Sequence, residues 1–414
     1  MGAIEQFLSD YAKKETARFH MPGHSGLIEP SDITEIEGAD NLYESRGIIA
    51  KSEAVTTKLY GTGATVFSAG GSTLGIQAML MCMKWEGRNV IADRAVHKSF
   101  VNACALLDLN VKWFRQKSDS LEDILRDADK PCCVYVTSPD YYGNMANTAA
   151  LSQICRNHGA KLLVDNAHGA HLAFLPDNLH PIANGADLCC DSAHKTLPAL
   201  TGCGYVHAAD PQYREPLKRA MSIFGTSSPS YLLLESLDKC NSYLAEKIRR
   251  KLPERVLRIL KLKQNLPHIL FLGDEPLHIT ASLSGAAITE TLDKYGIVPE
   301  YSSEHAVLFL SSPETPMTDF DRLEEALKEA VLLPNAPAII IPSIPLPQVA
   351  VSMREALLMP QKVTPINKAN GQVCGLTSPP CPPCVPLIMP GEVFNEETVA
   401  ACKKYGIKEV FTVT

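Results

Sequence analysis

Two short segments carry the residues best suited to chemistry. Asp165-Asn166-Ala167-His168 closes the apolar run Lys161-Leu162-Leu163-Val164, and Asp191-Ser192-Ala193-His194-Lys195-Thr196 follows the apolar run Leu188-Cys189-Cys190. Both runs read as buried strands. Asp165 and Lys195, 30 positions apart, then fall in loops just beyond two strand ends, where open α/β sheets bind ligands. A lysine withdrawn from water loses its proton more readily and becomes an amine that can form an imine. A carboxylate near it can hold a pyridine nitrogen protonated. Pyridoxal phosphate (PLP) requires both groups.

Each residue also has a plainer reading. Lysines are mostly on surfaces, and a strand-end aspartate often caps the following helix. Gly70-Gly71-Ser72-Thr73, ahead of a helix starting near Leu74, would serve as a helix N-cap in any protein. It would serve equally as a phosphate cup, with turned backbone amides, hydroxyl donors and a favourable helix dipole. The presence of Asp165 and Lys195 in the same chain favours the cup, with Gly71, Ser72 and Thr73 as its members. Ala167 has the small side chain that could lie flat against one face of a ring.

Other motifs follow in order: His20-Met-Pro-Gly-His24, Asp93-Arg94-Ala95-Val96-His97-Lys98-Ser99, Thr226-Ser227-Ser228-Pro229-Ser230-Tyr231, Pro383-Cys384-Val385-Pro386-Leu387 and Met389-Pro390-Gly391-Glu392. With Asp-x-Ala-His and Ser-x-His-Lys-Thr, the series resembles the Orn/Lys/Arg decarboxylase family over nearly the whole chain. These are PLP enzymes of the aspartate-aminotransferase fold (fold type I). The resemblance implies a covalent PLP linkage at Lys195 and a pyridine-nitrogen contact at Asp165. It implies that His97 stacks on the ring opposite Ala167, and that Ser192 is a second phosphate hydroxyl. It places His168 near substrate and cofactor, His194 at the phosphate or as an aid in reprotonating the substrate carbon, and Glu392 near the mouth of the site. Glu392 could there meet the distal cation of a basic substrate, or equally be a surface glutamate.

The implied activity is decarboxylation of lysine, arginine or ornithine to an amine of the polyamine-precursor type. The runner-up is a PLP aminotransferase or lyase. Aminotransferases of this fold usually clamp the substrate carboxylate with an arginine of the C-terminal domain, and this chain has only Arg322 and Arg354 there. The resemblance further implies a homodimer with shared active sites, in which the Thr226–Ser228 segment reaches the phosphate of the neighbouring chain. The chain departs from the family with Ser25 where lysine is commoner and with Cys381 where tyrosine is usual.

Metal chemistry has weaker support. Asp165-x-x-His168-x-x-His171, with His194, matches no standard zinc spacing. Cys381-Pro-Pro-Cys384 lacks a second cysteine pair, and no metal is expected.

The elements that must position these residues are legible in outline. At 414 residues the chain suggests two domains. Residues 1–56 read as an N-terminal arm, 57–265 as a PLP-binding large domain, and 266–414 as a small C-terminal α/β domain. Strands are expected at Asn89–Ala92, Val111–Phe114, Cys132–Thr137, Lys161–Val164, Asp187–Cys190 and Gly204–His207, with helices between them. This alternation predicts a doubly wound, mostly parallel sheet. Beyond residue 265, strands at Leu277–Leu283 and Ala306–Ser311 and helices at Ala286–Tyr295 and Asp319–Leu332 are expected. Ordered extended segments or turns are expected at Pro334–Pro347 and Pro379–Pro390.

A net charge of −7, without long runs of either sign, argues against a nucleic-acid partner. Thirteen cysteines, many in apolar runs, suit a reducing compartment better than a disulfide framework. With no apolar stretch long enough for a membrane span and no leader pattern at the start, a cytoplasmic protein is expected.

Overall fold

The computed structural model describes residues 1–14, 16–116, 119–330, 346–376 and 386–414. Cys381, Cys384 and most of the two proline-rich stretches lie outside the described residues. Seven strands form the large sheet: β1 (Ala64–Ser68), β2 (Asn89–Asp93), β3 (Val111–Phe114), β4 (Cys132–Thr137), β5 (Lys161–Asp165), β6 (Leu188–Asp191) and β7 (Gly204–Ala208). Their order is β1-β7-β6-β5-β4-β2-β3. Strands β2 to β6 run parallel, while β7 is antiparallel to both β6 and β1. This is the doubly wound α/β fold that the strand–helix alternation predicts.

The central strands are apolar throughout because both faces of the sheet are covered. Leu163, Leu188, Cys190 and Val206 pack into one cluster, while Leu162, Val164 and Cys189 pack into another on the opposite face. Strand β1 was not among the expected strands. Its five residues sit between Gly61-Thr62-Gly63 and Ala69-Gly70-Gly71, a composition that reads as loop until pairing with β7 buries all five.

Helices α1 (Ala3–Lys13) and α2 (Ile48–Tyr60) belong to the N-terminal region. The second runs through the boundary expected at residue 56. Asp238, on the helix Tyr231–Glu246, accepts from the Ile4 and Glu5 amides at 2.9 and 3.0 Å, satisfying the open donors at the start of α1. The carboxylate thus ties the arm to the large domain. Helix α3 (Gly71–Trp85) crosses β6 and β7 closely at Gly75, where a Cβ would come within 2.9 Å of Cys190 and Val206 side chains. That approach brings the start of α3 beside the loop after β6.

After the helix Ile248–Asn265 come β8 (Phe271–Leu272), β9 (His278–Ala281), β10 (Tyr301–Ser302) and β11 (Val307–Leu310), an antiparallel sheet in the order β10-β11-β9-β8. Helices Gly285–Lys294 and Met317–Glu329 accompany it. One apolar cluster runs from Ile4 and Leu8 through Leu237 and Leu252 to Ile279 and Phe309, so this sheet docks on the large domain through a shared core. The C-terminal strands β12 (Gln361–Pro365) and β13 (Glu409–Val413) pair with each other over a separate cluster that includes Ile366, Phe394 and Val410.

Candidate active site

Asp165 ends β5, and Ser192 follows β6 to begin the single helical turn Ala193–Thr196 that carries Lys195. The parallel register of β5 and β6 therefore brings the two segments side by side. Asp165 is almost fully buried. Its Oδ1 accepts from the Ala167 amide at 3.2 Å, and its Oδ2 accepts from the Tyr135 hydroxyl at 3.3 Å. Burial pushes the Asp165 carboxyl above the usual range, against the opposing charges of Lys195 and His97.

Lys195 Nζ lies 2.9 Å from His168 Nε2. Burial lowers the Lys195 pKa, opposed first by Asp165 and then by Glu300. His168 is held well below the ordinary histidine range by its own burial and then by Lys195. Its Nδ1 is buried without a hydrogen-bond partner. The site thus favours a neutral imidazole beside an amine whose charged form is disfavoured by burial.

The opposite wall is the start of α3. Gly71 has φ +62°, a left-handed conformation that favours glycine, and its amide donates to the Gly202 carbonyl at 2.7 Å. Ser192 Oγ donates to Ser72 Oγ at 2.9 Å, and Thr73 is exposed one residue on. Two hydroxyls from different elements therefore meet at a helix N-terminus, an arrangement that suits a phosphate.

His97 precedes helix α4 (Lys98–Leu106), and its Nδ1 takes the Ser99 amide at 3.2 Å and faces Ser99 Oγ at 2.8 Å. The ring is exposed, yet it feels the charges of both Asp165 and Lys195. Ala167 is buried beside Asp165. His194 directs Nδ1 to the Cys203 carbonyl at 3.0 Å.

One expected site residue lies differently. Glu392 is not an open carboxylate at the mouth of the site. It is buried, and both its oxygens are held by Arg94, at 2.7 and 2.6 Å, with a further bond from the Met389 amide at 2.8 Å. Thr226 lies in an exposed loop and accepts from the Ser228 amide.

Tyr141, Glu275, His278 and Glu300 form a further group that the sequence reading missed. Glu275 is buried between His171, at 2.6 Å, and His278, and accepts the Leu277 and His278 amides at 2.9 and 2.7 Å. These partners hold its carboxyl well below the usual range despite burial. The His278 ring lies 5.3 Å from that of His168. Tyr141 stands edge-on to His168, with ring centroids 5.9 Å apart, and its hydroxyl reaches Glu300 Oε1 at 3.5 Å. The Glu275-x-x-His278 spacing was the only local trace of this group, and it is too common to point to a site.

Comparisons with known proteins give the family. The Orn/Lys/Arg decarboxylase major-domain model matches residues 4–125 and 115–274. An arginine decarboxylase of Bacillus subtilis (strain 168) is 26% identical, over 95% of this chain and 91% of the relative. The lysine decarboxylase LdcF of Francisella novicida superposes with a TM-score of 0.82 at 15% identity, covering 100% of this chain and 81% of its own. The constitutive lysine decarboxylase of E. coli gives 0.81 at 17%, over 100% and 82%. A neutral-leaning lysine, a buried carboxylate and a hydroxyl-lined helix start are the groups that PLP needs, and the chain belongs to the Orn/Lys/Arg decarboxylase family of PLP-dependent amino-acid decarboxylases.

Proposed function

We propose that the chain decarboxylates a basic L-amino acid, with arginine the first substrate to test because the similar Bacillus protein is named for it. The observation that carries this reading is the pairing of a buried Asp165 with a Lys195 amine whose pKa burial lowers. Bound PLP supplies a protonated ring that accepts the electron pair released when the bond from Cα to the carboxylate breaks.

The chain's own residues would do the rest. Lys195 would hold the cofactor covalently, and Asp165 would keep the ring nitrogen protonated. Gly71, Ser72, Thr73 and Ser192 would take the phosphate, while His97 and Ala167 would flank the ring. His168, at Lys195, would orient the substrate, and its unpartnered Nδ1 gives it a spare polar contact. His194 would be the group to return a proton to the substrate carbon.

Glu300 replaces Glu392 as the carboxylate for the substrate's distal cation. It is exposed, it acts on Lys195, and its contact with Tyr141 leaves it capacity to accept more hydrogen bonds. Decarboxylation is favoured over transamination because neither small-domain arginine is free for a substrate carboxylate. Arg354 donates to the Ala105 and Leu106 carbonyls, and Arg322 pairs with Asp319 at 2.6 Å.

The Thr226 loop, exposed in one chain, supports a homodimer in which it reaches the partner's phosphate cup. The cysteines among the described residues are buried and free, which supports a cytoplasmic site of action, and no described helix is long and apolar enough to cross a membrane. The direct test is release of carbon dioxide from carboxyl-labelled L-arginine, L-lysine and L-ornithine, with keto-acid measured in parallel. Keto-acid without carbon dioxide would replace the reading with transamination.

A further inference from the structure

A second group of chemically capable side chains lies under the turn that carries Lys195. Cys189 and Asp191 alternate onto one face of β6, and His207 on β7 is the cross-strand partner of Cys189. His180 enters from the loop before β6. All four side chains are fully buried.

His180 Nε2 and His207 Nε2 each lie 3.3 Å from Asp191 Oδ2, and the three donor atoms all fall within 4.8 Å of one another. A charge-assisted hydrogen bond from nitrogen to carboxylate is usually about 2.7–2.9 Å. The His180 contact is a long hydrogen bond, and separations near 3.3 Å also match the edge of a tetrahedron whose centre is about 2.0–2.1 Å from each ligand, the geometry of zinc.

Two further observations point to that centre. His207 Nε2, wholly buried, makes no aligned hydrogen bond, while its other nitrogen is oriented by Thr65 Oγ1 at 2.8 Å. Asp191 has its other oxygen occupied by the Asn166 amide at 2.7 Å, so Oδ2 is the one left to converge with the imidazoles.

We propose that His180, Asp191 and His207 bind a divalent transition-metal ion of the zinc type, in a structural site separate from the PLP site. Cys189 Sγ contacts His180 Nε2 at 3.7 Å but does not converge on all three donors, so water would take the fourth position. The ion would lock β6, β7 and the His180 loop together beneath the Lys195 turn. The separations of 11 and 16 positions between these ligands match no local zinc motif, so only the folded sheet assembles them.

The test is metal content. Chain purified without chelator from zinc-supplemented cells should hold about one zinc ion, with an anomalous diffraction peak between His180, Asp191 and His207. The double variant Asp191→Asn with His207→Gln should hold at least about tenfold less. Wild type carrying less than about a tenth of an ion per chain, counting all first-row metals, overturns the proposal. So does metal retained by the double variant. Should the variant fail to fold, the wild-type crystal decides: bound metal without a peak at this position also overturns it.

Discussion

Lys195 Nζ and His168 Nε2 face each other at 2.9 Å across the loops that end β5 and β6. Burial disfavours the charged form of both groups. The contact therefore lowers the cost of the amine's reactive, neutral form. The His168 ring is in turn bounded by Tyr141, from the loop after β4, and by His278 on β9, so a residue beyond position 265 helps to set the position of the lysine's partner.

This arrangement predicts the pH dependence of Lys195. The unprotonated amine is the reactive form, and its pKa is lowered by burial, so its fraction rises with pH earlier than for a free lysine. In the cofactor-free chain, acetylation of Lys195 followed by mass spectrometry should level off below the ordinary lysine value of about 10.4. A profile centred on that ordinary value would remove the argument for an activated amine.

Asp165→Asn should keep the fold and some bound cofactor, because the amide can still fill the space. It should lower the turnover rate by at least about a hundredfold, because a neutral amide cannot stabilise a positive ring nitrogen. Steady-state rates beside the absorbance of the bound cofactor test this. A near-wild-type rate would show that Asp165 is only a structural acceptor for Tyr135 and Ala167.

Glu392 and Arg94 form a buried, bidentate pair, and losing one partner leaves a buried charge unmatched. Arg94→Met should destabilise the chain by about 3–5 kcal/mol, and Glu392→Gln should also destabilise it. Urea unfolding measures both. A Glu392→Gln chain of unchanged stability with a raised KM would return Glu392 to the role of substrate ligand.

Glu300→Gln should act on the substrate instead. Removing the carboxylate's charge weakens its hydrogen bond to a cationic side chain at this exposed position. KM for a basic amino acid should rise by roughly tenfold or more, with little change in unfolding midpoint. Equal KM values in wild type and variant would mean that the distal cation is met elsewhere.

The residues legible in sequence are those whose signal is local. Asp165 and Lys195 each follow an apolar run, and Gly71-Ser72 opens a helix, so strand ends and helix starts could be read directly. The structure adds what only topology brings together. Arg94 reaches Glu392 across 298 positions, which is why Glu392 looked free. Glu275, His278 and Glu300 come from a stretch that carries none of the motifs, and Tyr135 is an ordinary strand residue until β4 pairs with β5. Strand β1 escaped notice because its flanking glycines hide a five-residue run that pairing with β7 buries.

The central claim is that Lys195 is the residue that bonds the cofactor. Borohydride reduction of the purified, cofactor-loaded chain, followed by proteolysis and mass spectrometry, tests it most directly. The account predicts loss of the visible absorbance band and a pyridoxyl-phosphate mass addition on Lys195, absent from a Lys195→Ala chain. An addition on any other lysine, or a Lys195→Ala chain that keeps both the band and full turnover, would contradict it.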